Sequence, residues 1–136
     1  MRKTIGLVFV VGLLLAACGG GGGGGGASSG ATSGGGGGCT DLSSGSSFTV
    51  KAQDSLTFSP DCIIAKNTQS LDLQNAGSIT HTFTIPNTSI DVTLNGGKSQ
   101  TLAPPGNALK PGTYVFYCRF HGSADGSGMA GHITVT

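Results

Sequence analysis

Twenty consecutive residues, 19–38, contain fourteen Gly and otherwise only Ala, Ser and Thr. Such a stretch has nothing to bury and cannot repay the entropy of ordering itself. It divides the 136-residue chain into a short leading segment, a coil with an r.m.s. reach of roughly 25 Å, and whatever the last 98 residues can fold into. No phosphate-cradling loop is read here, since no strand precedes the glycines and no Lys-Ser/Thr pair closes them.

The leading segment reads as an address. Arg2 and Lys3 precede an eleven-residue apolar stretch, 5–15, and then Leu15-Ala16-Ala17-Cys18. The stretch suits an export signal and falls short of the roughly 20 residues of a spanning helix. The motif before Cys18 resembles that of a bacterial lipoprotein, cut before the Cys, which is then lipidated; a signal cut after Ala17 that leaves a free thiol is the alternative. The expected organisation is a signal over 1–17, a lipidated Cys18 with its flexible tether over 18–38, and one folded domain over 39–136. The protein is expected to leave the cytoplasm, to face the periplasm or cell exterior where disulfides persist, and to be held at a membrane by its lipid.

The domain carries five basic residues against six Asp, so it is near neutral. That excludes a phosphate-tracking, nucleic-acid-binding face. Thr, Val, Ile, Phe and Tyr make up 30 of its 98 residues, a composition suited to pleated, half-buried surfaces. Period-two alternation runs through Phe48-Thr49-Val50-Lys51-Ala52, Leu71-Asp72-Leu73 and Ile90-Asp91-Val92-Thr93-Leu94. In Thr80-His81-Thr82-Phe83-Thr84-Ile85 it puts His81, Phe83 and Ile85 on one face. Asn95-Gly96-Gly97 is a turn before a strand at 98–102, and Lys110-Pro111-Gly112 turns the chain into a strand whose Tyr114, Phe116 and Cys118 share a face. No helical period persists over three turns. The expected fold is all-β, a Greek-key β-sandwich of seven to nine short strands.

Four Cys and three His can each be assigned a task. With Cys18 lipidated, Cys39, Cys62 and Cys118 allow one bridge in three pairings. Cys39–Cys62 is preferred, because Cys118 has another use. Cys118 ends a strand, His121 follows three residues later, a Gly-rich loop leads to Met129 before the last strand, and His81 lies far upstream. One thiolate, two imidazoles and one thioether form a soft, mixed donor set; two His and one Cys with a weak axial Met is the blue-copper electron-transfer geometry. A Cys–His nucleophile pair would need a substrate cleft and an orienting third group, for which a small sandwich has little room. His132 should point to solvent, with Ile133 and Val135 inward, and is not expected to bind metal.

The stretch from Phe48 to Thr136 resembles the cupredoxins, of plastocyanin and azurin type, most strongly in Gly112-Thr-Tyr-Val-Phe-Tyr-Cys118-Arg-Phe-His121 and Gly128-Met129-Ala-Gly131, and also in Asn75 and Ile79-Thr-His81-Thr-Phe-Thr-Ile85. The resemblance implies one Cu(I)/Cu(II) ion with His81, Cys118 and His121 in its plane and Met129 on its axis. It implies supporting tasks for Asn75 and for Thr82, which stands where the family often has Asn. The His-to-Met loop, 122–128, is longer than in plastocyanin. The implied protein is no enzyme but a monomeric one-electron carrier, its partners redox proteins of cytochrome or oxidase/reductase type. Electrons would pass at the edge of His121, with Phe120, Pro86 and Ala130 forming an apolar docking patch. The alternative is a copper-binding protein for storage or delivery, which two Met, one of them the initiator, support poorly.

Overall fold

The structure is a computed structural model and describes residues 38–136. The export segment, Cys18 and all but the last residue of the glycine tract lie outside the described residues.

Ten strands form: β1 (Thr40–Asp41), β2 (Ser47–Gln53), β3 (Thr57–Ser59), β4 (Cys62–Ala65), β5 (Ser70–Asn75), β6 (His81–Thr84), β7 (Asp91–Leu94), β8 (Ser99–Leu102), β9 (Gly112–Gly122) and β10 (Gly128–Val135), with one 3-10 turn at Pro105–Asn107. They make two sheets, ordered β1-β4-β10-β9-β6-β7 and β3-β2-β5-β8. Successive strands repeatedly change sheets, so the sandwich is closed by long crossings rather than by hairpins alone. The count exceeds the expected nine by one. β1 and β3 are two and three residues long, too short for alternation to be read.

The inward faces follow from the period of two. Phe48, Val50 and Ala52 on β2, Leu71 and Leu73 on β5, and Met129, Ile133 and Val135 on β10 are all buried. Three rings form the centre: Phe83 stacks on Phe116 at 4.8 Å between centroids, and Phe58 meets both edge-on, at 5.9 and 5.2 Å. His81 lies two residues before Phe83, and Cys118 two after Phe116. Both therefore continue the same inward face one step toward the end of the sandwich. The aromatic trio is the floor beneath them.

β6 departs from the expected pattern. All four of its residues are buried, Thr82 and Thr84 included. It is an inner strand between β9 and β7, and its outward hydroxyls are satisfied by neighbours instead of by water. The expected outward placement of His132 holds: it is exposed while Ile133 and Val135 are buried.

A disulfide joins Cys39 to Cys62, 23 residues apart. It fastens the start of the domain to the head of β4, beside which β1 runs in parallel.

Candidate metal centre

His81 is delivered by a short link, residues 76–80, that is fastened from two sides. Asn75, buried at the end of β5, donates through Nδ2 to the Ile79 carbonyl at 2.7 Å and to the Leu94 carbonyl at 2.9 Å, and accepts from the Gly77 amide at 3.0 Å. Leu94 lies opposite His81 in the facing sheet, so Asn75 ties the two sheets together beside the ligand. Asp54, in the β2–β3 turn, accepts from the Ile79 amide at 3.0 Å and from the amide and hydroxyl of Ser78 at 2.9 Å. The Ile79 amide, with Ser78 behind it, holds this carboxyl below its ordinary value of 3.8. Sequence reasoning did not single out Asp54; an Asp in a turn reads as turn chemistry, and its partners lie 24 and 25 residues downstream.

Register delivers the other three. In the β9–β10 pair, Gly122 lies opposite Gly128 and Tyr117 opposite Ala130. Between these positions, Cys118, Arg119, Phe120 and His121 on one strand face the single residue Met129 on the other. An excursion of this kind re-aims side chains. It places Cys118 and His121 across from Met129, which is buried. The two strands close tightly above it: a Cβ on Gly122 would run into the backbone of Met129, and one on Gly128 into the His121 carbonyl. Residues 122–128 form an ordered turn, with Ser123 N donating to Ser127 O at 3.0 Å and Ser127 N to Asp125 Oδ1 at 2.9 Å.

The donor atoms of His81, Cys118 and His121 all lie within 4.8 Å of one another. Cys118 Sγ stands 3.9 Å from His81 Nδ1 and 3.5 Å from His121 Nδ1. The two imidazoles meet edge-to-face, centroids 5.2 Å apart. For one ion in a trigonal plane, at bond lengths of about 2.3 Å to sulfur and 2.0 Å to nitrogen, sulfur and nitrogen are about 3.7 Å apart. The observed distances bracket that value, so the three residues fit a single ion.

Burial sharpens the fit. His81 and Cys118 are both 0 % exposed. Among the described residues, nothing accepts from or donates to His81 Nε2. A buried ring left half-satisfied is costly, and here it is kept for what its Nδ1 faces. Burial, reinforced by His121 and slightly opposed by Asp54, holds the His81 imidazole below its ordinary value of 6.5. Its neutral form, the one that can ligate, is therefore favoured at neutral pH. The Thr82 amide donates to Cys118 Sγ at 3.3 Å, and Thr82 Oγ1 accepts from the Arg119 amide at 2.8 Å. Thr82 thus touches both sides of the thiol-bearing peptide. Asn75 reaches the ligands only through the link before His81.

The surroundings at this end are apolar. The exposed large hydrophobic side chains among the described residues are Leu56, Ile79 and Phe120. Phe120 is 57 % exposed and lies edge-on to His121 at 6.2 Å. Ile79 donates its amide to Asp54 in the link that leads into His81. The expectation for Pro86 is corrected. It lies beyond the opposite end of β6, five residues from His81, or about 16 Å of strand. Ala130, next to Met129 in β10, stays at the metal end. A hollow of about 260 Å³ opens at the other end, lined by residues such as Leu71, Ile90, Leu102 and Pro105, with no titratable side chain in its wall.

The chain matches a family model described as a cupredoxin-like domain over residues 38–135. Among solved structures it is similar to a reduced amicyanin variant, with 14 % identity over 66 % of this chain and 82 % of that one and a TM-score of 0.51. A mutant plastocyanin of fern is similar at 21 % identity, covering 65 % of this chain and 100 % of that one, with a TM-score of 0.51. A copper-containing nitrite reductase from Thermus scotoductus is similar at 18 % identity and a TM-score of 0.50; the match takes in 66 % of this chain but 22 % of that one. At these identities the likeness is one of fold. No curated protein sequence matches the chain.

Proposed function

The chain belongs to the cupredoxin-like family, and from that premise we propose that this blue copper protein carries single electrons between redox proteins outside the cytoplasm. The observation that carries the reading is the meeting of one thiol and two imidazoles within 4.8 Å, contributed by strands 37 residues apart along the chain. His81 Nδ1, Cys118 Sγ and His121 Nδ1 would hold the ion, with the Met129 thioether as a further, weaker donor. Copper bound here supplies a one-electron couple.

The chain's own residues do the rest. The Thr82 amide places a hydrogen bond on the Cys118 sulfur and so fixes where that sulfur sits. Asn75 and Asp54 fix the loop before His81, so the imidazole is aimed by the fold. The Phe83–Phe116 floor keeps water from beneath the ligands. His121, part-exposed and flanked by Phe120, is the edge through which an electron leaves. Ile79, Leu56 and Phe120 form a docking surface for a weak, rapidly dissociating partner. A domain this close to neutral steers little by charge, so transfer rates should change only mildly with salt. Anchorage by a lipid on Cys18, with the 18–38 tether as its leash, is part of the same proposal.

The test loads the full chain with Cu(II). An intense visible thiolate–copper band and a reversible one-electron wave are expected, and Cys118→Ser should abolish the band. A band that survives Cys118→Ser rejects the site; a band without a reversible wave rejects electron carriage in favour of copper delivery.

A further inference from the structure

The backbone ladder between β6 and β9 has a single register pair, Thr84 with Tyr117. Toward the metal end the strands are joined by side-chain atoms instead. The Thr82 amide donates to Cys118 Sγ at 3.3 Å, and the Arg119 amide donates to Thr82 Oγ1 at 2.8 Å. Both links depend on where β6 sits, and the second also on the rotamer of Thr82.

That rotamer is braced from outside. The Thr84 hydroxyl donates to Asp91 Oδ1 at 2.8 Å and lies 3.3 Å from Thr82 Oγ1, so its single hydrogen is shared between the two acceptors. Asp91, opposite Thr84 on β7, in turn accepts from Arg119 Nε at 3.0 Å. The bonds form a ring that leaves Arg119 by its amide and returns to it by its guanidinium. Thr82 and Thr84 are buried, whereas the Asp91–Arg119 pair is about half exposed.

We propose that Thr84, braced by Asp91, is a positioning residue that holds the Thr82 amide on the Cys118 sulfur and thereby tunes the copper site. The proposal rests on the copper reading above and deepens it. A donor on the sulfur draws charge from the thiolate and favours the lower oxidation state, so hydrogen bonding around this atom sets the reduction potential. Losing the brace weakens the donor and should lower the potential.

The test has two readouts, one of them free of copper. In the metal-free full chain, Thr84→Val should speed hydrogen exchange of the Thr82 and Arg119 amides about fivefold, the factor for a bond worth about 1 kcal/mol. In the copper-loaded chain the same substitution should lower the reduction potential. Thr84→Ser, which keeps the hydroxyl, should restore both, and Asp91→Ala should move both in the direction of Thr84→Val. Unchanged amide rates in Thr84→Val would overturn the proposal. So would an equal acceleration at the Ile133 amide, which would mean general loosening, or an unchanged potential in a chain that binds copper. Failure of the unsubstituted chain to show a thiolate–copper band would sink the copper reading, and the metal-free amide rates would still decide whether Thr84 positions Thr82.

Discussion

Replacing Asn75 by Ala tests whether the metal end is built by the protein. The side chain makes three hydrogen bonds: to the Ile79 carbonyl, to the Leu94 carbonyl and from the Gly77 amide. A net bond is worth about 1 kcal/mol, which sets an upper figure near 3 kcal/mol. Two of the three are only part-buried, so water can replace some of the loss. The Leu94 carbonyl is buried with its bond, and leaving it bare costs more than an average bond. The expected destabilisation is therefore about 2 kcal/mol, read as a lower midpoint in urea denaturation of the metal-free chain with the slope unchanged. Asn75→Asp keeps the acceptor for Gly77 but turns a carboxylate toward two carbonyls, so it should cost at least as much at neutral pH. Because Asn75 ties the link before His81 to both sheets, copper should also leave the Ala variant faster. A loss below about 0.5 kcal/mol, or an Asp variant as stable as the parent, would refute the reasoning.

Other outcomes follow from single features. Replacing Cys39 and Cys62 together by Ser releases a closed loop of 23 residues' separation and should cost about 3 kcal/mol by the chain-entropy account, measured by urea midpoint, while the visible copper band stays in place. The His81 imidazole is held below its ordinary 6.5, first by burial and then by His121, so the folded chain binds this proton less readily than the unfolded one. Metal-free stability should be full above pH 6.5 and fall as pH drops below it, levelling once the folded chain is protonated too; titration of the denaturation midpoint with pH checks the sign, and His81→Gln should flatten that segment. Gly128 has φ of +69° and no room for a Cβ beside the His121 carbonyl, so Gly128→Ala should cost about 2 kcal/mol or more in thermal denaturation and speed copper loss.

Much of this was legible in the sequence because two periodicities coincide with the chemistry. The alternation in β2, β5 and β10 named the core faces, and the Cys118-x2-His121 spacing named two of the three residues whose donor atoms meet. What was hidden is what depends on partners far along the chain. β4 reads Cys-Ile-Ile-Ala, with no polar residue to reveal a period, and β1 exists only as a two-residue partner alongside it. Thr82 and Thr84 look like the wet face of a half-buried strand. They are buried because Asp91 and Arg119, seven and thirty-five residues beyond Thr84, supply partners for their hydroxyls. Pro86 is near His81 in sequence and far from it in space, since an extended chain moves about 3.3 Å per residue.

The order in which the donors are fixed bears on function. Cys118, His121 and Met129 are placed by the register of one strand pair, closed above them by Gly122 and Gly128. His81 is placed by a link held through Asn75 and Asp54. All of these restraints are hydrogen bonds, packing and strand pairing made by the chain's own residues. The site therefore costs its folding energy in advance, unlike small metal modules whose fold is created by the metal they bind. An ion entering it meets ligand positions set by the sandwich, over a floor of Phe58, Phe83 and Phe116 that has little room to shift. On the copper reading, cupric and cuprous ions held here would share nearly one geometry, so little rearrangement would accompany electron transfer.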